Sequence, residues 1–275
     1  MSAANAEAAA PVLLERLGDG VARITLNRPA QRNAMNRAAR VALLNALDEC
    51  TRPGAGVNVI VLTGSGPAFC AGVDLKEVAK EQDDPAAGNL DSRRASWRAV
   101  QDELAKHPAV VIAAVNGFAL GGGLTLINAA DLAVVDEDAQ LGMPEIGFGL
   151  YPALAGPATQ LRVSRKRAAW LVLTADRIDG RTAVEWGLAN LAVPADRVAA
   201  EALSLARRVA GYDATGLRWS KRALWTVPEH ISGWSRALDY GEDVGARIRA
   251  EADATQRGLE GFASGTRNPG QGSAP

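Results

Sequence analysis

Two cysteines and two histidines are all that the 275 residues hold of each type. Neither forms a cluster with ligand spacing, so no metal site is expected. Cys50 and Cys70 make no disulfide framework, which fits a reducing compartment and a cytoplasmic protein. A Cys/His hydrolase needs a histidine working with Cys70. His107 stands before Pro108 at an expected helix end, a structural position, and the other is His230. The net charge is −1, with arginines matched by acids along the whole length, which argues against a nucleic-acid footprint. No apolar run reaches the ~18 residues of a membrane-spanning helix. No GxxxxGK[ST] phosphate loop, internal repeat or low-complexity segment is seen beyond the alanine-rich start. That start, MSAANAEAAAP, has no Lys or Arg before its alanines and contains Glu7, so it reads as a loose tail, not a signal peptide.

What is present is ordinary for a globular chain, 48% hydrophobic and 22% charged, long enough to bury a substantial core. The chain is organised around residues 108–125, PAVVIAAVNGFALGGGLT. The run Val110 to Val115 is rich in β-branched residues and reads as a buried strand. Asn116 and Gly117 break it, Gly121, Gly122 and Gly123 follow, and Leu124 to Ala130 reads as a helix. Glycines at a strand-to-helix junction leave N–H groups approachable, and the helix dipole adds partial positive charge there. That arrangement suits a ligand oxygen carrying negative charge. The same glycines would also serve merely to let the helix pack closely, and this stretch alone does not decide between the two.

Along the chain, Val12–Leu17 and Val21–Leu26 flank an Asp19-Gly20 turn and predict a hairpin. Pro29 ends the second strand. Asn36 caps a predicted helix reaching about Cys50, with Val41, Leu43, Leu44 and Leu47 on its apolar side. Val57–Thr63 reads as a strand. GSGPAFCAGVDLKEV (64–78) repeats the strand–glycine–helix logic, with a short helix from about Leu75. Residues 79–91 read as a mobile loop. Ser92–His107 reads as a helix with Trp97, Val100 and Leu104 on one face. Beyond the central stretch, Leu132–Val135 is a strand and Ala139–Gly142 a short piece. Residues 147–157 read as an active-site-like loop rather than an element. Leu161, Val163 and Ala168–Leu173 read as helical, Arg181–Trp186 as a helix opened by Asp179-Gly180, and Leu191–Val193 as a short strand. From Pro194 to about Gly261 the pattern is helical. Two strand–glycine–helix turns about fifty residues apart suggest a right-handed spiral of ββα-type units.

The glycine-flanked turns at 70–74 and 121–123 could each supply a backbone donor to one carbonyl oxygen, a contribution of ~10²–10³ in rate per donor. Glu145 follows Pro144 and precedes an apolar, glycine-rich loop. A carboxylate in an apolar pocket has a raised pKa, which suits acid/base work.

AFCAGVDLKE (68–77), VNGFALGGG (115–123) and LGMPEIGFGLYP (141–152) resemble the signature segments of the enoyl-CoA hydratase/isomerase, or crotonase, family. NRPAQRNAMN (27–36) and DGRTAVEWGLANLAVP (179–194) also resemble family segments, in the right order over roughly residues 12–270. The resemblance implies an α/β fold, a crotonase-like spiral of repeated ββα units with a C-terminal helical trimerisation region. The implied layout is a disordered tail at 1–11, a spiral core at 12–200, and a helical oligomerisation region with a frayed end at 201–275. It implies an acyl-CoA thioester substrate, coenzyme A entering as part of the substrate and no cofactor bound. It also implies a homotrimer or dimer of trimers. Oxyanion donors are implied at the N–H groups of Val73 and Gly122. Ala71, Asp74, Leu75 and Lys76 match the segment bordering the adenine and pantetheine, and Arg28 and Ala30 the turn near the CoA phosphates. Gly121, Thr125 and Tyr151 are further candidates for substrate contact.

The departure from the family pattern concerns the second catalytic glutamate of family hydratases. It belongs two residues after the last glycine, where this chain has Thr125. Hydration needs one group to activate water and another to deliver a proton, and Thr125 does no acid/base work near neutral pH. It could position a water, or bond its own preceding turn. One carboxylate suffices to carry a proton between carbons. The departure therefore favours Δ3 to Δ2 enoyl-CoA isomerisation through Glu145, with 2-enoyl-CoA hydration as the alternative. Single-glutamate members with other reactions draw on groups from elsewhere, for which Asp84, Tyr151 and Tyr240 are candidates. A non-catalytic acyl-CoA-binding paralogue is the alternative from another class.

Overall fold

A computed structural model describes residues 10–77, 96–252 and 254–265. The expectations for the N-terminal tail, the 79–91 loop, the helix start at Ser92 and Asp84 lie wholly or mainly outside these residues.

The hairpin forms as expected from β1 (Val12–Gly18) and β2 (Val21–Leu26), paired antiparallel around Asp19-Gly20. Pro29 opens a 3-10 turn, Pro29–Gln31. Helix α1 (Arg37–Thr51) starts where Asn36 accepts a hydrogen bond from the Ala39 N–H. Its buried side is Ala39, Leu43, Ala46, Leu47 and Cys50, whereas Val41 is 39% exposed. The correction follows from the 3.6-residue period: Val41 is off the 39–43–46–50 line. Strands β3 (Val59–Gly64) and β4 (Ala68–Cys70) follow, then α2 (Trp97–Lys106), capped by Ser96 and burying Trp97, Val100 and Leu104. The central stretch gives β5 (Val110–Val115), β6 (Phe118–Leu120) and α3 (Gly122–Ala129). The helix thus begins two residues before the expected Leu124, on the glycines themselves.

Next come β7 (Leu132–Asp136) and β8 (Leu141–Gly142). The expected 147–157 loop is partly ordered. Pro144–Phe148 is a 3-10 turn and α4 spans Ala155–Gln160. Leu161 and Val163 lie in the link before α5 (Arg165–Thr174), because Ser164 caps that helix. Then α6 (Gly180–Trp186), capped by Asp179, β9 (Leu191–Val193), α7 (Val198–Ala210), α8 (Ala214–His230), α9 (Trp234–Glu251) and α10 (Ala254–Ala263) complete the described chain.

The larger sheet has the order β1-β2-β3-β5-β7-β9, parallel from β2 onward. Its central strands β3 and β5 are almost wholly apolar because both faces are covered, whereas β2 keeps Arg23 and Thr25 partly exposed. Ile60, Leu62, Val111 and Ala113 face one core, with α1, α2 and α3. Val59, Val61, Val110 and Ile112 face a second, closed by Val198, Ala202 and Ala206 of α7. A parallel three-stranded sheet, β4-β6-β8, carries the glycine turns at the ends of its strands.

His107 is structural, as expected. Its Nε2 bonds the Leu47 carbonyl at 3.1 Å, and its Nδ1 accepts from the Ala109 N–H at 3.1 Å. Burial pushes its pKa down. Helix α8 is anchored by Lys221, buried with its Nζ 2.7 Å from Asp131 and donating to the carbonyls of Leu104 and Ala109. No described helix is long and apolar enough to cross a membrane.

Candidate active site

The two glycine turns meet. A parallel bridge joins Val73 to Met35: the Met35 N–H donates to Gly72 O at 2.8 Å and the Asp74 N–H to Met35 O at 3.3 Å. Both bonds come from Val73's neighbours, so its own N–H points away from Met35, with no partner among the described residues. Gly72 has φ +91°, open to glycine, and a methyl there would stand 3.0 Å from the Gly122 nitrogen. The Gly122 N–H likewise has no partner among the described residues. It belongs to the first turn of α3, where N–H groups have none within the helix. The geometry therefore brings Val73 and Gly122 together with two unused donors. Unused donors of this kind, one half-buried and one buried, suit an oxygen that gains charge during a reaction.

Glu145 closes the third side. The 3-10 turn at Pro144–Phe148 carries it, with the Leu150 N–H bonded to its carbonyl at 3.0 Å. Gly121, at φ +50°, has no side chain in the way: a methyl there would lie 2.6 Å from Glu145 Oε1. The other oxygen, Oε2, is buried without a hydrogen-bond partner. Burial raises the Glu145 pKa above the ordinary carboxylate value, partly opposed by its own backbone N–H. A carboxylate so placed can take up a proton and give it back.

Thr125 is fully buried, and its hydroxyl donates back to Gly121 O at 3.4 Å. It is engaged in its own helix, the simpler of the two roles open to it from sequence. Trp97 was legible only as core. Its ring lies over Gly122, within 2.6 Å of where a methyl would be, and its indole Nε1 is buried without a partner. No signal in the sequence separates this use of a helix-face tryptophan from plain packing.

The outer candidates divide. Arg28 and Asp74 come together as an ion pair of 3.0 Å, with side chains 18% and 13% exposed. Arg28 also donates to the Ala34 carbonyl. Burial pushes the Asp74 pKa up, but the Arg28 bond and charge and the N–H groups of Lys76 and Glu77 outweigh it, holding the carboxyl below its ordinary value. Ala71 is tied to Arg32 O through its N–H at 2.9 Å. Ala30, Leu75 and Lys76 are exposed on the same rim. Tyr151 is 53% exposed, and its hydroxyl accepts from Gln160 Nε2 at 2.8 Å rather than meeting Glu145. Burial pushes the Cys70 thiol up to about 12, and its Sγ donates to Asn33 O at 3.3 Å, so it supplies no thiolate. No group of three or more potential metal ligands occurs among the described residues.

This architecture is the crotonase fold. An enoyl-CoA hydratase of Mycobacterium smegmatis superposes with a TM-score of 0.85 at 28% identity, over 94% of this chain and 97% of that one. The profile described as enoyl-CoA hydratase/isomerase matches residues 16–262, and the chain belongs to that family. Among its relatives, the 2,3-dehydroadipyl-CoA hydratase of Escherichia coli K12 is 37% identical over 73% of this chain and 76% of its own length. The 1,2-epoxyphenylacetyl-CoA isomerase of the same organism is 33% identical over 85% of this chain and 94% of its own.

Proposed function

We propose that the protein moves the double bond of an enoyl-CoA thioester from Δ3 to Δ2, with Glu145 as the single proton carrier. One observation carries the reading: the Glu145 carboxylate stands against the Gly121 turn with Oε2 unpartnered, while the position of a second glutamate holds Thr125, bonded to its own helix. In the forward step, Glu145 removes a proton from C2. The C–H electron pair moves toward the thioester, the double bond shifts to a dienolate, and its oxygen is held by the N–H groups of Val73 and Gly122. Glu145, now protonated, returns the proton to C4. Carbon, charge and proton balance with no other reactant. Hydration of a 2-enoyl-CoA is the second reading, favoured by the 37% identical hydratase.

The coenzyme A moiety would lie along the Arg28, Asp74 and Lys76 rim. We also read the chain as a homotrimer or a dimer of trimers. Supporting this, the C-terminal helices expose Leu224 at 75%, Trp234 at 80% and Phe262 at 76%.

Incubation with 3-enoyl- and 2-enoyl-CoA in deuterated water tests the reaction. Double-bond migration with deuterium uptake and no hydration supports it, and rapid formation of 3-hydroxyacyl-CoA from 2-enoyl-CoA overturns it. Glu145→Gln should lower kcat by ~10²–10⁴ while still binding acyl-CoA. A pure binder would show no turnover before the substitution. Because proton removal needs ionised Glu145 and its pKa is raised, the acid limb of kcat/KM should lie above the ordinary carboxylate range.

A further inference from the structure

Helices α2 and α3 both start at the reaction centre, where Trp97 lies over Gly122. Further along the same two helices, Gln101 on α2 and Thr125 and Asn128 on α3 line a cavity of about 940 Å³. Asn128 stands six residues beyond Gly122, about 9 Å along the helix axis. Thr125, whose hydroxyl bonds Gly121 O, stands both in the cavity wall and one helical turn from the Gly122 donor. Leu154, Pro157, Arg162, Arg222 and Trp225 also line it.

The lining is strongly cationic: six Lys or Arg side chains against two carboxylates, Asp102 and Glu229. Four of the six are already paired. Arg98 and Lys106 face Asp102 at 3.6 and 3.8 Å, Arg218 faces Glu251 at 2.7 Å, and Lys221 faces Asp131. Arg162 and Arg222 have no carboxylate within ion-pair distance among the described residues. Arg162 lies 4.9 Å over the Trp225 ring and gives one N–H to the Ala158 carbonyl at 3.2 Å. Stacking of this kind leaves the other edge of the guanidinium fork open to a planar anion. The residue as a whole is exposed, yet its guanidinium is sheltered enough that burial lowers its pKa, against the nearby charge of Glu229.

A second observation points to the same ligand. Asn128 is 2% exposed, and one amide edge bonds Thr159 Oγ1 at 2.9 Å while Oδ1 has no partner. The Thr159 hydroxyl can donate or accept, so the amide can turn either edge to it and present oxygen or NH₂ to a ligand. A buried amide with a free edge, in the same cavity as an arginine with no carboxylate partner among the described residues, matches a polar end group and not a plain hydrocarbon tail.

We propose that this cavity receives the far end of the acyl group and selects acyl chains that end in a carboxylate, with Arg162 and Asn128 as its ligands. The inference rests on the acyl-CoA reading above, and its test is kept separate from turnover. The unreactive thioesters octanedioyl-CoA and octanoyl-CoA are titrated calorimetrically into the full-length protein. Octanedioyl-CoA should bind at least ~10-fold more tightly, the scale of one charged hydrogen bond. Arg162→Gln should bring the ratio close to one, with the loss falling on octanedioyl-CoA, and Arg162→Lys should keep part of it. Equal binding of both thioesters by the wild type, or an equal loss for both on Arg162→Gln, overturns this inference and leaves the acyl-CoA reading standing. Binding of neither overturns both.

Discussion

The turn at 71–74 and the turn at 121–123 present the same kind of backbone donor, but different forces hold them. The first is held by polar groups. Arg28 pairs with Asp74, the Asp74 carboxylate accepts from the Lys76 N–H at 3.2 Å, and Met35 bridges Val73 on both sides. The second is held by the absence of side chains. A methyl on Gly123 would lie 2.0 Å from the Cys70 carbonyl oxygen, one on Gly122 would enter the Trp97 ring, and one on Gly121 would enter Glu145. One donor is therefore tuned by charge and open to salt and pH, while the other is set by close packing and should ignore both. The difference also suits their positions: the first lies beside an exposed rim, and the second in a fully buried helix.

The largest effect on this comparison should come where the turns touch. Gly72→Ala forces a side chain onto φ +91° and puts a methyl 2.7 Å from Leu120 O and 3.0 Å from Gly122 N. It should displace the second donor from the first and cost ~10²–10³ in kcat, about 2.7–4 kcal/mol of transition-state stabilisation. Steady-state kinetics with circular dichroism as a folding control checks it. A variant that folds and turns over normally would show that the two donors do not act on one oxygen. Next comes Gly123→Ala. Within a helix this change usually adds stability, because alanine is the better helix former by about 1 kcal/mol. Here the Cys70 carbonyl reverses the sign, and a loss of about 1–3 kcal/mol is expected. Thermal melts should show it unchanged between low and high salt, as steric contacts are not screened.

How much of this was legible in the sequence follows from the same contrast. The larger sheet's strands and two caps were readable because they are local: Asn36 and Asp179 bond N–H groups three residues on, and β-branched runs mark strands covered on both faces, whereas the Ser96 cap lies four residues inside the helix expected from Ser92. Glu145 and the two glycine turns were readable as separate features. Their convergence was not, since it depends on β4 and β6 lying side by side in the smaller sheet, a pairing that spans about fifty residues. The three-residue strand β6 escaped notice because Asn116 and Gly117 look like the end of a strand and the glycines like the start of a loop. Trp97 and Asn128 could not be told from plain packing residues, because a helix-face tryptophan and a helical asparagine have common structural uses. Only an unpartnered buried nitrogen or oxygen distinguishes them.

The smallest effect is the most diagnostic of the polar turn. Asp74→Asn removes the charge that faces Arg28 but keeps an oxygen able to accept from the Lys76 N–H, so it isolates the ion pair. With both side chains mostly but not wholly buried, the loss near neutral pH should be about 1 kcal/mol. The folded-state pKa of Asp74 is lowered, so its contribution to stability is fully present above the ordinary carboxylate pKa and is lost as pH falls through the lower folded value. Wild type and Asp74→Asn should therefore separate at neutral pH and converge in acid. Urea melts across that range measure the gap, which should also narrow in high salt. If the gap stays constant with both pH and salt, the first turn, like the second, is held by packing, and the contrast between them disappears.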